Sequence, residues 1–511
     1  MSNILGVSAG FHDAALSVIS PSGEILFAAH SERYSKIKHD SNINPRLIED
    51  IRHFDIQTVA YYEKPWRKQL RRLRSGERLQ WDNLTVDQCL NQQLGKYYQQ
   101  LCKNNNWNNE FSTDMGVSRV AFDHHLSHAA AGFQTSPFEY ATVVVIDAIG
   151  ETDTISIYRA RYDSKNRAQY TQLWKQTYPH SIGLFYSAMT KHCDLVPMEE
   201  EYILMGMAAY GRADYTNILE YQTVRDIDQL TFKDNYHIGM PDKGIWNDLS
   251  KEDAAACAQK LLERLVNSVM RKARVLSNGC ENLVFMGGVA LNCLANRNLG
   301  RYFDNIWIMP NPGDAGSSLG AAALAYGKKL QWRDAFLGHE IPGKYPVGNI
   351  LHELLSNRIV GVASGRAEFG PRALGNRSLL ADPRGEDIKD RVNEIKRRQK
   401  FRPFAPVVLE EYAYQYFDFP TGWHNSRYMQ SVARCRTPDI FPAICHVDGT
   451  SRVQTVPRDG SGIRQLLERW NEVTGCPMLL NTSLNVRGEP MINDRADADR
   501  FEMLFGVKVC S

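Results

Sequence analysis

The sequence predicts an α/β protein of two domains, residues 1–345 and 346–511. Two hairpin-like segments, "ILGVSAGFHDAALSVI" and "ATVVVIDAIGETDTISIYRA", share one shape and point to a duplicated N-terminal fold. Two later segments, "NLVFMGGVALNCLANRNL" and "IWIMPNPGDAGSSLGAAALAYG", each read as strand, glycine turn and helix. A Gly- and Pro-rich stretch at 338–348, "GHEIPGKYPVG", then reads as a linker. At 511 residues the chain exceeds the ~250–300 at which single cores stop growing.

Each element follows from its local pattern. "NILGVSAG" is an apolar strand ending at glycine, and "HDAALSVISPSGEILFAAHSER" reads as two strands joined at "SPSGE". Residues 45–110 read as mostly helical and polar. "VSRVAFDHH" is a strand that runs into "DHHLSHAAAG", the opening of a helix. "VVVID" is a continuous apolar run, as an interior strand shows. After the linker, "NRIVGVASGRAEFGPRALGNRSLLADPR" begins a new strand-rich unit.

Composition narrows the class. The 60 basic and 58 acidic residues leave a formal charge of +2. That balance gives no global field to gather a nucleic-acid polymer. The ten cysteines form no C-x-x-C pair and no zinc-finger spacing, and such scatter fits a reducing cytosol. The N-terminus lacks the pattern of a signal peptide, and no run of 18 apolar residues occurs. The expectation is a cytoplasmic, globular protein with no membrane span, as monomer or homodimer.

Several groups can carry chemistry. The turns "DAIGE" (147–151), "GGVALN" (287–292) and "PGDAGSSLG" (312–320) bring backbone N–H groups close to a phosphate, and a helix start adds a favourable dipole. No G-x-x-x-x-G-K-[ST] is present, so they would form a nucleotide cradle other than a P-loop. His124 and His128 lie four apart on one helix face and can grip one ion, with Asp314 as a third ligand. The plain alternative is helix capping or a hydrogen-bonded pair, with Asp123 as the cap. His125 points elsewhere. His12 beside Asp13 is either a general base or part of a hydrogen-bonded turn.

The second domain is dense in arginine: Arg372, Arg377 and Arg384, then Lys396, Arg397, Arg398, Lys400 and Arg402, then Arg452, with Ser483, Asn485 and Arg487 further on. They alternate with Gly, Pro, Phe and Leu, so they sit in folded structure. Arginine captures phosphate or carboxylate bidentately, and a phosphate or acyl-phosphate pocket is expected. The basic stretch 64–78, "KPWRKQLRRLRSGER", is either an exposed helix face or a surface for a polyanion.

Taken in order, "GFHDAAL", "SERYSKIKHD", "DHHLSHAAAG", "DAIGETDT", "MGMAAYG", "MGGVALNC", "PNPGDAGSSLGAA", "EFGPRALGNRSLLADPR", "FRPFAPVV", "HVDGTSRVQTV" and "LLNTSLNVRGEP" resemble the O-carbamoyltransferase family of nodulation-type and antibiotic-tailoring enzymes. The resemblance spans nearly the whole chain. It implies an actin-like, duplicated, ATP-binding N-terminal domain. The smaller α/β C-terminal domain would be similar to threonylcarbamoyl-adenylate synthases. It implies that carbamoyl phosphate and ATP give carbamoyl-adenylate in the second domain, and that the carbamoyl group then moves to an acceptor hydroxyl in the first.

The same resemblance assigns residues. Arg372, Lys396, Arg398, Arg402, Arg452 and Ser483 would hold the phosphates and the carbamoyl group. Asp147, Gly150, Gly287, Gly288 and Asn292 would hold the adenylate. His124, His128 and Asp314 would bind Fe(II) or another divalent metal, with Mg a further companion of ATP. His12 would be the base and Lys38 would stabilise charge nearby. The chain departs from the family pattern at Ile203, where lysine is usual, at Ala209, where proline is common, and at Ala148, where glycine is usual. The acceptor expected is a small hydroxyl compound such as a sugar or natural product. Alternatives are a hydroxymethyl-pyrimidine nucleotide or DNA, and a tRNA modification of the threonylcarbamoyl type.

Overall fold

The structure, a computed structural model, describes residues 3–74, 78–104, 117–400 and 402–511. The chain divides into two compact units. The first comprises Met1–Gly183, Lys272–Leu291 and Asn305–Gly338, and the second Leu184–Arg271, Asn292–Asp304 and His339–Ser511. The last boundary falls in the stretch read as a linker, but the other boundaries show that each unit gathers separate stretches of chain.

The first unit is a duplication. β1 (Asn3–Ser8), β2 (Ala15–Ile19) and β3 (Ile25–His30) form an antiparallel meander, and β4 (Ile56–Tyr61) and β5 (Ser118–Ala121) extend it in parallel beside β1. The order is β3-β2-β1-β4-β5. β6 (Tyr140–Gly150), β7 (Asp153–Tyr162) and β8 (Ala168–Thr177) repeat the meander, and β9 (Asn282–Met286) and β10 (Asn305–Trp307) repeat the parallel addition. Residues 45–110, read as mostly helical, also hold β4. Its run "IQTVAY" is short and sits between helices, so its strand character shows only in the pairing with β1.

Helices line these sheets. α1 (Pro65–Arg74) lies between β4 and β5 in sequence. α2 (His124–Thr135) follows β5 and packs on β6 and β9, while α3 (Gly316–Tyr326) follows β10 and packs on β1 and β2. α2 and α3 also pack on each other, with almost no side chain between them. A Cβ on Gly320 would lie 1.8 Å from the Ser127 carbonyl oxygen. Only glycine permits that approach. Beneath α3, the Ser17 and Ser318 hydroxyls bond at 2.7 Å. A core of Leu5, Val7, Leu16, Val18, Val59 and Tyr61 closes the first sheet.

The second unit holds a mixed six-stranded sheet. Its strands are β11 (Ile359–Ala363), β12 (Arg377–Ala381), β13 (Ala405–Leu409), β14 (Gln454–Val456), β15 (Met478–Ser483) and β16 (Val509–Cys510), in the order β14-β13-β15-β12-β11-β16. Helix Gly462–Thr474 covers it with Ile463, Leu466, Leu467 and Trp470 in the core. The fold is mixed α/β throughout. No helix among the described residues is long and apolar enough to cross a membrane. All ten cysteines are free.

Candidate active site

In the first unit the duplication delivers side chains from both halves to one place. β5 runs into α2, which turns His124 and His128 inward at 3% and 0% exposure. Their Nε2 atoms are 3.1 Å apart. Asp147, near the end of β6, brings Oδ2 to 3.3 and 3.5 Å from these nitrogens. Asp314, just before α3, brings Oδ1 to 3.4 and 3.2 Å. All four donor atoms lie within 4.8 Å of one another. A metal with N and O ligands at ~2.0–2.2 Å holds neighbouring ligand atoms about 3.0–3.5 Å apart, the spacing found here. Two imidazoles and two carboxylates suit a divalent first-row metal, so the residues fit one.

Electrostatics agree with that grouping. Burial pushes both imidazoles down, but Asp314 and Asp147 outweigh it and hold them above the usual histidine range. Burial pushes Asp147 up, yet His124 and His128 hold it well below the carboxylate range. Asp147, expected on a nucleotide turn, is thus part of the four-residue cluster. Its other oxygen accepts the Gly288 N–H at 3.3 Å, so it also touches that turn. Gly287 there has φ +90°, and a Cβ would meet the Ile146 carbonyl oxygen at 2.2 Å. A Cβ on Gly150 would lie 2.5 Å from His124 Cδ2. Ala148 is held by the Ser181 hydroxyl, which donates to its carbonyl at 2.7 Å.

His12 sits on the β1–β2 turn beside this cluster. Its Nδ1 is 2.8 Å from Asp13 Oδ2, and its Nε2 faces Asp314 Oδ2 at 3.6 Å. The other Asp13 oxygen holds His39 Nδ1 at 2.8 Å. Burial lowers the His12 pKa, but Asp314 and Asp13 more than offset it and raise it to about 9. Asp13 and His39 adopt φ of 54° and 52°. Such backbone persists only where its surroundings over-determine it, often at functional sites. Lys38 is half-buried next to His39.

His125 does not join the cluster. Its Nδ1 lies 2.8 Å from Ser156 Oγ, and burial keeps it well below the usual histidine range, hence neutral. Asp123 holds the N-cap position, but its side chain makes no cap hydrogen bond and instead receives Arg67 and Lys64. Lys68 pairs with the buried Glu63 at 2.9 Å. The cations at the start of the basic stretch therefore face carboxylates. Residues 75–77 of that stretch lie outside the described residues.

The second unit holds the arginines. Arg372, Arg398, Arg402 and Arg452 act on one another. Burial and then Arg452 push Arg372 down to about 9, and burial and then Arg402 hold Arg398 well below its usual range. Among the described residues none of the four forms an ion pair, and Arg452 Nε is buried with no hydrogen-bond partner. An uncompensated cationic pocket of this kind calls for an anion. Glu368 shapes it: its Oε1 accepts the N–H groups of Leu374, Asn376 and Arg377 at 2.8–3.1 Å, folding the loop that carries Arg372. Lys396 Nζ donates to the Ser483 carbonyl and hydroxyl and to Asn485. Asn292, also of this unit, caps the short helix Cys293–Asn296 and bonds Gln259 at 3.0–3.1 Å.

Two expected pocket arginines have other work. Arg377 is fully buried and donates to the carbonyls of His339, Ser364, Gly365, Asn376 and Asn493. Arg384 forks onto Asp382 at 2.8 and 3.0 Å. Both fasten backbone or loop, and sequence spacing does not separate that role from ligand binding.

Comparison with known proteins gives a consistent result. The description "Carbamoyltransferase N-terminus" matches residues 94–323 and "Carbamoyltransferase C-terminus" matches 351–509. An uncharacterised Synechocystis protein, sll1178, is 33% identical over 98% of this chain and 94% of its own length. The nodulation protein NolNO of Sinorhizobium fredii is 32% identical over 95% of this chain and 76% of its own. NolO of Bradyrhizobium diazoefficiens is 33% identical over 74% and 75%. Among solved structures, HypF of T. kodakarensis overlaps 64% of this chain and 48% of its own at 14% identity and TM-score 0.32, too loose for any inference.

Proposed function

This chain belongs to the carbamoyltransferase family, and from that premise we propose that it is an ATP-dependent O-carbamoyltransferase with two reaction sites. The observation that carries the proposal is the pocket of four arginines, none of which pairs with a carboxylate among the described residues. Carbamoyl phosphate and ATP are both polyanions, and such a pocket suits them. Carbamoyl phosphate loses its phosphate to water there. A carbamate oxygen then attacks the α-phosphorus of ATP, pyrophosphate leaves, and carbamoyl-adenylate forms. Arg372, Arg398, Arg402 and Arg452 hold phosphate oxygens, and Lys396 with Ser483 orients the carbamoyl end.

Transfer belongs to the residues 1–345 side of the chain, with carbamoyl-adenylate formation assigned to 346–511. The acceptor oxygen attacks the carbamoyl carbon, its proton passes to His12 Nε2, and AMP leaves. The Gly287–Gly288 turn, Gly150 and Asp147 hold the adenylate, and Lys38 steadies developing charge. A divalent ion at His124, His128, Asp147 and Asp314, Fe(II) by family resemblance, would supply a Lewis acid for a phosphate oxygen and offset the Asp314 charge that keeps His12 protonated. The pairing of Lys64, Arg67 and Lys68 with Asp123 and Glu63 favours a small acceptor over a nucleic-acid polymer.

The test is direct. The protein is incubated with carbamoyl phosphate, ATP, Fe(II) and a panel of sugars, natural products, hydroxymethyl nucleotides and DNA. Mass spectrometry is expected to find one added carbamoyl group on a small hydroxyl compound, with pyrophosphate and AMP released. If no pyrophosphate release depends on carbamoyl phosphate, the mechanism is wrong.

A further inference from the structure

The mechanism above leaves helix Glu201–Met207, in the segment where Ile203 replaces the family's usual lysine, without a role. Its place in the second unit supplies one. Four guanidiniums sharing a pocket repel one another, so something must orient them. A carboxylate would do it but would cancel charge that the anion needs. An aromatic face attracts a cation and lets a planar guanidinium stack, while adding no negative charge.

Arg398 shows that solution. Its guanidinium carbon lies 3.9 Å from the Phe404 ring centroid, and its Nε donates to Asn393 Oδ1 at 2.7 Å. Arg402 shows the same solution with a ring from far upstream. Its guanidinium carbon lies 4.8 Å from the Tyr202 centroid. The helix bearing Tyr202 is itself fastened. Arg487 Nη2 reaches Glu200 Oε1 at 3.5 Å, His446 Nε2 lies 3.0 Å from the Gly206 carbonyl oxygen, and Cys293 Sγ meets Met205 Sδ at 3.8 Å. By contrast, Arg372 and Arg452 make no side-chain hydrogen bond among the described residues. They remain to close on whatever enters.

We propose that Tyr202 is a positioning residue of the arginine pocket: its ring fixes the Arg402 guanidinium toward a phosphate oxygen while leaving the pocket's positive charge intact. The pocket is therefore assembled partly by residues preceding the linker. The proposal rests on reading the pocket as the carbamoyl-phosphate site.

The full-length protein is assayed for pyrophosphate release from ATP and carbamoyl phosphate. Binding of inorganic phosphate is measured separately by calorimetry. Tyr202→Phe and Tyr202→Trp keep a ring and should stay within about threefold of the parent in both readouts, whereas Tyr202→Leu should raise KM for carbamoyl phosphate and weaken phosphate binding by about tenfold at nearly unchanged kcat. Tyr202→Glu, which orients Arg402 but neutralises it, should be worse than Tyr202→Leu. Equal binding by the parent and Tyr202→Glu, or a fall in kcat with KM unchanged, would overturn the assignment. Should Tyr202→Leu fail to fold, the Phe and Glu variants still decide. Ring-dependent phosphate binding without pyrophosphate release would uphold the role of Tyr202 and sink the carbamoyl-phosphate reading.

Discussion

The two candidate sites solve opposite electrostatic problems. In the first unit, His124 and His128 face Asp147 and Asp314, so cations and anions answer one another inside the protein. In the second, Arg372, Arg398, Arg402 and Arg452 gather like charge and, among the described residues, pair with no acid. The first cluster is held in shape before any ligand arrives. The second carries repulsion that only an anion relieves. A site that stores repulsion should gain stability from its ligand, and a balanced one should lose its geometry when one member is removed.

Breaking the balance should have the largest effect. Asp314→Asn is expected to cut metal affinity by more than the ~10–100-fold that loss of a supporting residue costs, read by competition with a chromophoric chelator. Retained metal with normal stoichiometry would remove Asp314 from the ligand set. Next, Arg452→Ala should raise KM for carbamoyl phosphate by roughly 10–100-fold, the worth of a hydrogen bond to a charged group. An unchanged KM would mean that the pocket takes its anion elsewhere. Third, millimolar phosphate should raise the melting temperature of the parent by a few degrees, as ligand linkage requires, and should barely move that of Arg452→Ala. Equal shifts in both would erase the contrast between the sites. The smallest effect is expected at Arg384. Replacing it with Ala breaks a partly exposed pair with Asp382, worth ~0–1 kcal/mol, together with its contacts to Trp470 and the Thr474 carbonyl, and should leave phosphate binding intact.

Sequence reading reached these sites unevenly, for physical reasons. His124 and His128 were legible because helical periodicity alone puts residues four apart on one face. Asp314 and the arginines were visible through motif order, since each sits in a recognisable turn or loop. Asp147 reads as a turn residue and not as a neighbour of the histidines, because a strand end reports nothing about what faces it across the fold. Arg377 and Arg384 misled because an arginine among glycines looks the same whether it meets a ligand or a carbonyl. β4 was hidden by its helical neighbours. Tyr202 gave no signal at all, as its partner Arg402 lies far along the chain and aromatic residues in short helices are common.

The close crossing of α2 and α3 at Gly320 carries one more consequence. His124 and His128 ride on one helix, and Asp314 sits at the mouth of the other. The spacing of the donor atoms is therefore set by how nearly two backbones touch. If the four residues hold a metal, a selection for variants that no longer bind it should recover bulkier residues at Gly320 or Ala131 as readily as changes in the histidines. For a metal held by these four residues, the fit to ion size would thus depend in part on residues that possess no donor atom.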